Sequence, residues 1–197
     1  MGRRQWVPAP SPKGERRAKS WWIPWAMAAT VLIAAAAHAA GGGVAPSASN
    51  VARIGSPAPD FTLRLLNGKS VTLSSLKGRP VVVTFWHSSC PHCQREAPVL
   101  DQVYQKYRGK GVVFLSVNVS WDHEAPARKF VEEYRLQFPV GRDADGRIGD
   151  LYGVEATPTT FFIGKDGKLR ERQEGAPEDV KAIEAGLEQR INWMLAG

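Results

Sequence analysis

The chain has 197 residues, with 26 Lys and Arg against 19 Asp and Glu, a formal charge of +7, and a hydrophobic content of 43% that excludes an intrinsically disordered protein. The excess charge is local: Arg3, Arg4, Lys13, Arg16, Arg17 and Lys19 stand against Glu15 alone in residues 1–20, so no nucleic-acid partner is expected, because a polyanion-binding domain carries its cations on the folded part. Two cysteines are too few for a disulfide scaffold.

Residues 21–40, WWIPWAMAATVLIAAAAHAA, contain no Asp, Glu, Lys or Arg, and about 20 helical residues match the roughly 30 Å of a bilayer core. Trp21, Trp22 and Trp25 lie at the end nearest the bases, which favours a cytoplasmic N-terminus and a membrane anchor. A cleaved signal peptide accounts for the same facts, with Ala37-His38-Ala39 as the cleavage site. Arg3-Arg4 is a weak twin-arginine signal, and His38 is expected near the far interface. Gly41 to Asn50 reads as a flexible linker. The organisation is therefore a basic cytoplasmic segment, 1–20, an anchor or signal peptide, 21–40, a linker, 41–50, and one domain, 51–197, outside the cytoplasm. That domain is membrane-anchored, or periplasmic or secreted if the N-terminal segment is removed.

In the domain, 61–66 and 69–73 flank Asn67-Gly68, the pattern of a hairpin with a type I′ turn. Val81 to Trp86, VVVTFW, reads as a buried strand. From Cys93 to Tyr107, Ala97, Leu100, Tyr104 and Tyr107 follow helical spacing, with a stop near Gly109. Val112 to Val119 reads as a second buried strand, parallel to the first. Pro126 opens a further helix with Phe130, Val131 and Tyr134 inward. A second hairpin joins 159–163 to 169–173 across Asp166-Gly167, and a last helix over 177–195 places Val180, Ile183, Leu187, Ile191 and Met194 on one stripe. The fold class is α/β, with a central mixed sheet flanked by helices and an N-terminal hairpin.

Cys90 and Cys93 lie in one Cys-Pro-His-Cys segment between the strand 81–86 and the helix after it. A strand-to-helix turn puts Cys90 at the helix N-terminus, where free N–H groups and the macrodipole favour its thiolate. Protonated His92 adds positive charge, so Pro91 and His92 are the residues that tune the thiolate. The offset of three lets Cys93 close a small ring, so the pair can cycle between dithiol and disulfide. As a permanent staple such a short loop stabilises little. A zinc site is not expected, since His87, His92 and His123 have no ligand spacing, and neither is any other cofactor.

These motifs, with IGSPAPDFTL near the start, VFLSVNV in the second strand and FPVGRDADGRIGDLYGVEATPTTFFIGKDGKL toward the end, resemble the thioredoxin-like superfamily over residues 54–195. Within it they resemble the TlpA, ResA and CcmG group of membrane-tethered thiol-disulfide oxidoreductases, with an AhpC/TSA-redoxin-like domain. The resemblance implies that Cys90 attacks the partner and Cys93 resolves the mixed disulfide. It implies too that Pro158 is a cis-proline facing them, with Thr157 offering backbone to a substrate segment; Trp86 is read as packing beside the site, among the substrate-binding residues, with plain core packing as the alternative. Glu96 matches an acidic residue beneath the cysteines and is the expected proton relay; Pro98 matches a proline that kinks the helix. The sequence departs from thioredoxin at Thr84 and Ser89, where that protein has Asp and Trp, and its Pro-His pair is that of the oxidising DsbA proteins. The implied partners are exported protein thiols or disulfides and a membrane redox protein, in cytochrome c maturation or disulfide formation. The alternatives are a Sco-like copper-handling protein, whose motif has three residues between the cysteines, and a thiol peroxidase, whose threonine position is His87 here.

Overall fold

The computed structural model describes residues 51–197; the expectations for the basic segment, the apolar stretch and the linker fall outside the described residues. Among the described residues, no helix is long and apolar enough to cross a membrane.

The first hairpin pairs β1 (Thr62–Arg64) with β2 (Ser70–Thr72), Leu63 opposite Val71. Its turn is not type I′. Of Asn67 and Gly68 only the glycine has a positive φ, +85°. The Gly68 N–H donates to the Leu65 carbonyl and the Leu65 N–H to the Lys69 carbonyl, which makes a three-residue loop with its glycine in the left-handed position. The hairpin seats itself through a bridge from Leu65 to Gly141. A Cβ on Gly141 would lie 2.5 Å from Leu63 Cγ and 2.6 Å from the Arg64 carbonyl oxygen, so only glycine permits this approach.

The central sheet contains β3 (Val81–Trp86), β4 (Val113–Asn118), β5 (Val140–Arg142), β6 (Thr159–Ile163) and β7 (Leu169–Glu174) in the order β5-β4-β3-β6-β7. β3, β4 and β5 run parallel, while β6 and β7 are antiparallel to their neighbours, so the sheet is mixed, as expected. Alternation along β3 divides the core. Val82 and Trp86 face the layer of α1 (Pro91–Tyr107), α2 (Glu124–Glu133) and α4 (Val180–Ala196). Val81, Val83 and Phe85 face the hairpin and α3 (Arg147–Tyr152). Both sheet faces are thus covered, which is why β3 and β4 read as continuous apolar runs. Each fully buried Phe, Leu or Ile in these layers stabilises by about 1.5–3 kcal/mol.

α1 starts at Pro91, and a 3-10 turn, Arg108–Lys110, carries the chain past Gly109 to Gly111, at φ +84°. On α2, Ala127 and Phe130 are buried while Val131 and Tyr134 are only partly so. α4 begins at Val180, capped by Asp179, whose carboxylate accepts from the Lys181 N–H at 3.1 Å. Val180, at the helix start, is 47% exposed and leaves the expected stripe; Ile183, Leu187, Ile191 and Met194 keep it.

Candidate functional site

The site forms at the C-terminal ends of β3 and β4, where the loops entering α1, α2 and β6 meet. β3 ends at Trp86, and after His87, Ser88 and Ser89 the chain reaches Cys90, the N-cap of α1, with Pro91 in its first turn, a position that suits the fixed φ of proline and costs no hydrogen bond. The Cys90 sulfur accepts from the Cys93 N–H at 3.3 Å and donates to the Thr157 carbonyl at 3.4 Å. These bonds bring Cys90, Cys93 and Thr157 together, and the Thr157–Pro158 bond that follows is cis, as the resemblance implies.

The two cysteines differ in environment. Cys90 is partly exposed, and Cys93 is 2% exposed. Burial, reinforced by the neighbouring Cys90 sulfur, pushes the Cys93 thiol far up and holds it protonated at neutral pH. One turn further along α1, Glu96 is also 2% exposed, and burial raises its carboxyl to about 7. Cys93 and Glu96 line one small cavity, about 10 Å³ in volume, with Thr84, Ser116, Trp86 and Phe130 among its walls. That volume suits a single water molecule.

Trp86 lies in the wall of that cavity, 4% exposed and stacked on Phe130 with ring centroids 4.3 Å apart. Of its two readings, contact with a substrate and plain core packing, its burial beneath the site fits the second. Thr84 bonds Thr160 at 2.9 Å, joining β3 to β6 where thioredoxin has its aspartate. His92 is exposed and lies 3.6 Å from the Glu178 carboxylate and 3.1 Å from Arg95, which itself pairs with Glu178 at 2.7 Å.

A second layer escaped the sequence reading. Asp122, 3% exposed, accepts from the Ser88 N–H at 2.7 Å, the Ser88 hydroxyl at 2.9 Å, the Asn118 amide at 2.7 Å and the His123 N–H at 2.7 Å. Burial alone would raise this carboxyl, but the bonds from Asn118, Ser88 and His123 outweigh it and hold it below the usual carboxylate range. Asp122 thereby ties the loop that carries Cys90 to the loop after β4. Gln94 closes the same loop from the helix side, donating to the Ser88 carbonyl at 3.0 Å. No local pattern marks Asp122, since its partners lie up to 34 residues away. Among the described residues, no group of three or more His, Cys, Asp or Glu could hold a metal ion.

Known proteins resemble this chain in sequence and in fold. A family model described as the AhpC/TSA family matches residues 54–172. The chain is 37% identical over 139 residues to a thiol-disulfide oxidoreductase ResA of Bacillus cereus, covering 71% of this chain and 79% of the relative. It is 38% identical over 130 residues to a ResA of Geobacillus thermodenitrificans, covering 65% and 74%. Among solved structures, a secreted Mycobacterium tuberculosis disulfide oxidoreductase homologous to E. coli DsbE superposes with a TM-score of 0.60 at 31% identity, covering 68% of this chain and 95% of that one. A thiol:disulfide interchange protein of the thioredoxin family from Chlorobium tepidum gives 0.61 at 25%, covering 73% and 98%.

Proposed function

This chain belongs to the AhpC/TSA family and is a thiol-disulfide oxidoreductase of the TlpA and ResA type with a thioredoxin-like fold, and we propose that it reduces disulfides of exported proteins outside the cytoplasm through Cys90 and Cys93. The observation that carries this reading is the contrast between an accessible sulfur at a helix N-cap and a buried, protonated one a turn later.

The Cys90 thiolate attacks one sulfur of the client disulfide, forms a mixed disulfide and releases the other client sulfur as a thiolate. Cys93 then gives its proton to the Glu96 carboxylate and attacks Cys90 Sγ. The mixed disulfide breaks, the client leaves carrying two more electrons, and a Cys90–Cys93 disulfide remains. A carboxyl at about 7 is matched to proton transfer at neutral pH, being both ionised often enough to accept and basic enough to hold the proton. Thr157 and Pro158 would seat the client's chain, and a membrane redox partner would restore the dithiol. The c-type cytochromes, whose haem-binding cysteines must be reduced, are the client class that the family resemblance implies.

We infer the reducing direction from the second thiol: held protonated by burial, Cys93 adds no thiolate stabilisation to the reduced form, which leaves Cys90 as the only sulfur that can supply it. Equilibration with glutathione should give a potential near that of thioredoxin, about −270 mV; a value near that of DsbA, about −120 mV, would assign the oxidising direction instead.

A further inference from the structure

The balance of charge in the domain hides a polar distribution. Residues 51–197 carry 20 Lys and Arg against 18 Asp and Glu, and averaged over the domain this suggests no anionic partner. The sheet register concentrates six of those cations at one end. Val81 at the start of β3 lies beside Val113 at the start of β4 and Ile163 at the end of β6, which pairs with Leu169 at the start of β7. The loops entering or leaving these points hold Lys77, Arg79, Arg108, Lys110, Lys165 and Lys168.

The three loops are tied together. The Gly78 N–H donates to the Lys165 carbonyl at 2.9 Å, the Val113 N–H to the Pro80 carbonyl at 2.9 Å, and Arg79 Nε to the Gly111 carbonyl at 3.0 Å. Five of the six side chains are exposed and Lys165 is partly so. Among the described residues none of the six pairs with a carboxylate. The one acid in these loops, Asp166, is engaged by Arg170 at 2.9 Å. Trp193, 55% exposed, lies at the same end, where Lys165 Nζ reaches the Leu195 carbonyl at 2.6 Å and both residues line one open surface cavity.

We propose that this end of the domain docks on the anionic headgroup surface of a lipid bilayer. Cations at this density are drawn to anionic lipid, each contributing about a fivefold gain in binding near the surface, and an exposed indole beside them suits the headgroup zone. The cysteines follow the opposite end of β3, whose six residues span about 17 Å. A domain docked this way holds its reactive sulfur away from the lipid, toward clients in solution. Docking of this kind does not depend on which way electrons run through the site.

The test is lysine acylation of the full chain, read position by position by mass spectrometry, in vesicles of phosphatidylglycerol with phosphatidylcholine and in vesicles of phosphatidylcholine alone. Lys77, Lys110 and Lys168 should react at least about fivefold more slowly in the anionic vesicles, and salt should reverse this. Lys181, exposed at the far end of α4, should be unchanged and reports any general effect of bringing the chain near lipid. Arg79→Gln with Arg108→Gln should lower the salt concentration that removes the protection while leaving the three reporter lysines in place. Equal reactivity in both vesicle types, or protection that survives high salt or appears without lipid, would overturn the proposal, the last by assigning this face to contact between copies of the chain.

Discussion

Cys93→Ala should turn the protein from a catalyst into a trap. With Cys90 intact, attack on a client disulfide still forms the mixed disulfide, but no second sulfur is present to break it, so complexes accumulate and turnover falls by on the order of 10³ or more. Cys90→Ala should lose as much activity yet capture nothing, because the remaining sulfur is 2% exposed and its thiol is held protonated. Non-reducing gels of the two variants mixed with a disulfide-bonded client read this directly. Comparable capture by both would show that the roles are not divided as burial divides them.

Glu96→Gln should change stability and rate together, in opposite senses. In the folded chain this carboxyl titrates at about 7, against an ordinary value of 4.5. A group raised in this way costs the fold nothing while it is protonated in both states, at pH below about 4.5. The cost grows as pH rises through the interval and is complete above about 7, where it reaches about 3 kcal/mol. The glutamine variant avoids ionisation, so its melting temperature should match that of the parent at pH 4 and exceed it by about 5–10 °C at pH 8. Its resolving step should slow by about a hundredfold and lose the inflection near pH 7. Thermal melts and client release at a series of pH values test both halves. A parent and variant with parallel melting profiles would mean that Glu96 is not buried as a carboxyl, and an unchanged rate profile would remove it from the proton path.

Much of this molecule is legible where the physics is local. β3, β4, α1 and the β6–β7 hairpin follow from apolar runs, helical spacing and an Asp-Gly turn, and the Cys-Pro-His-Cys segment needs only the strand before it and the helix after it to acquire meaning. β5 and α3 are three and six residues long, too short for any periodicity to emerge. β5 takes its place from its neighbours, through Val140 opposite Ser116 and Gly141 beneath the hairpin. The site divides in the same way. Glu96 is visible because it shares a helix face with Cys93, whereas Asp122 and Glu178 reach the cysteine loop and His92 from other loops and carry no local mark. Trp86 is legible as a member of a buried strand, but only the partner on α2, Phe130, fixes which layer its ring joins. The basic end of the domain was hidden for a related reason, its six cations being scattered through three loops that only the register aligns.

The division of labour between the two sulfurs underlies all of this chemistry, and brief alkylation of the reduced full chain with iodoacetamide at pH 7, followed by peptide mass spectrometry, tests it most directly. One adduct on Cys90, with Cys93 unmodified until the chain is denatured, is the predicted result; modification of both cysteines at similar rates, or of Cys93 first, would contradict it.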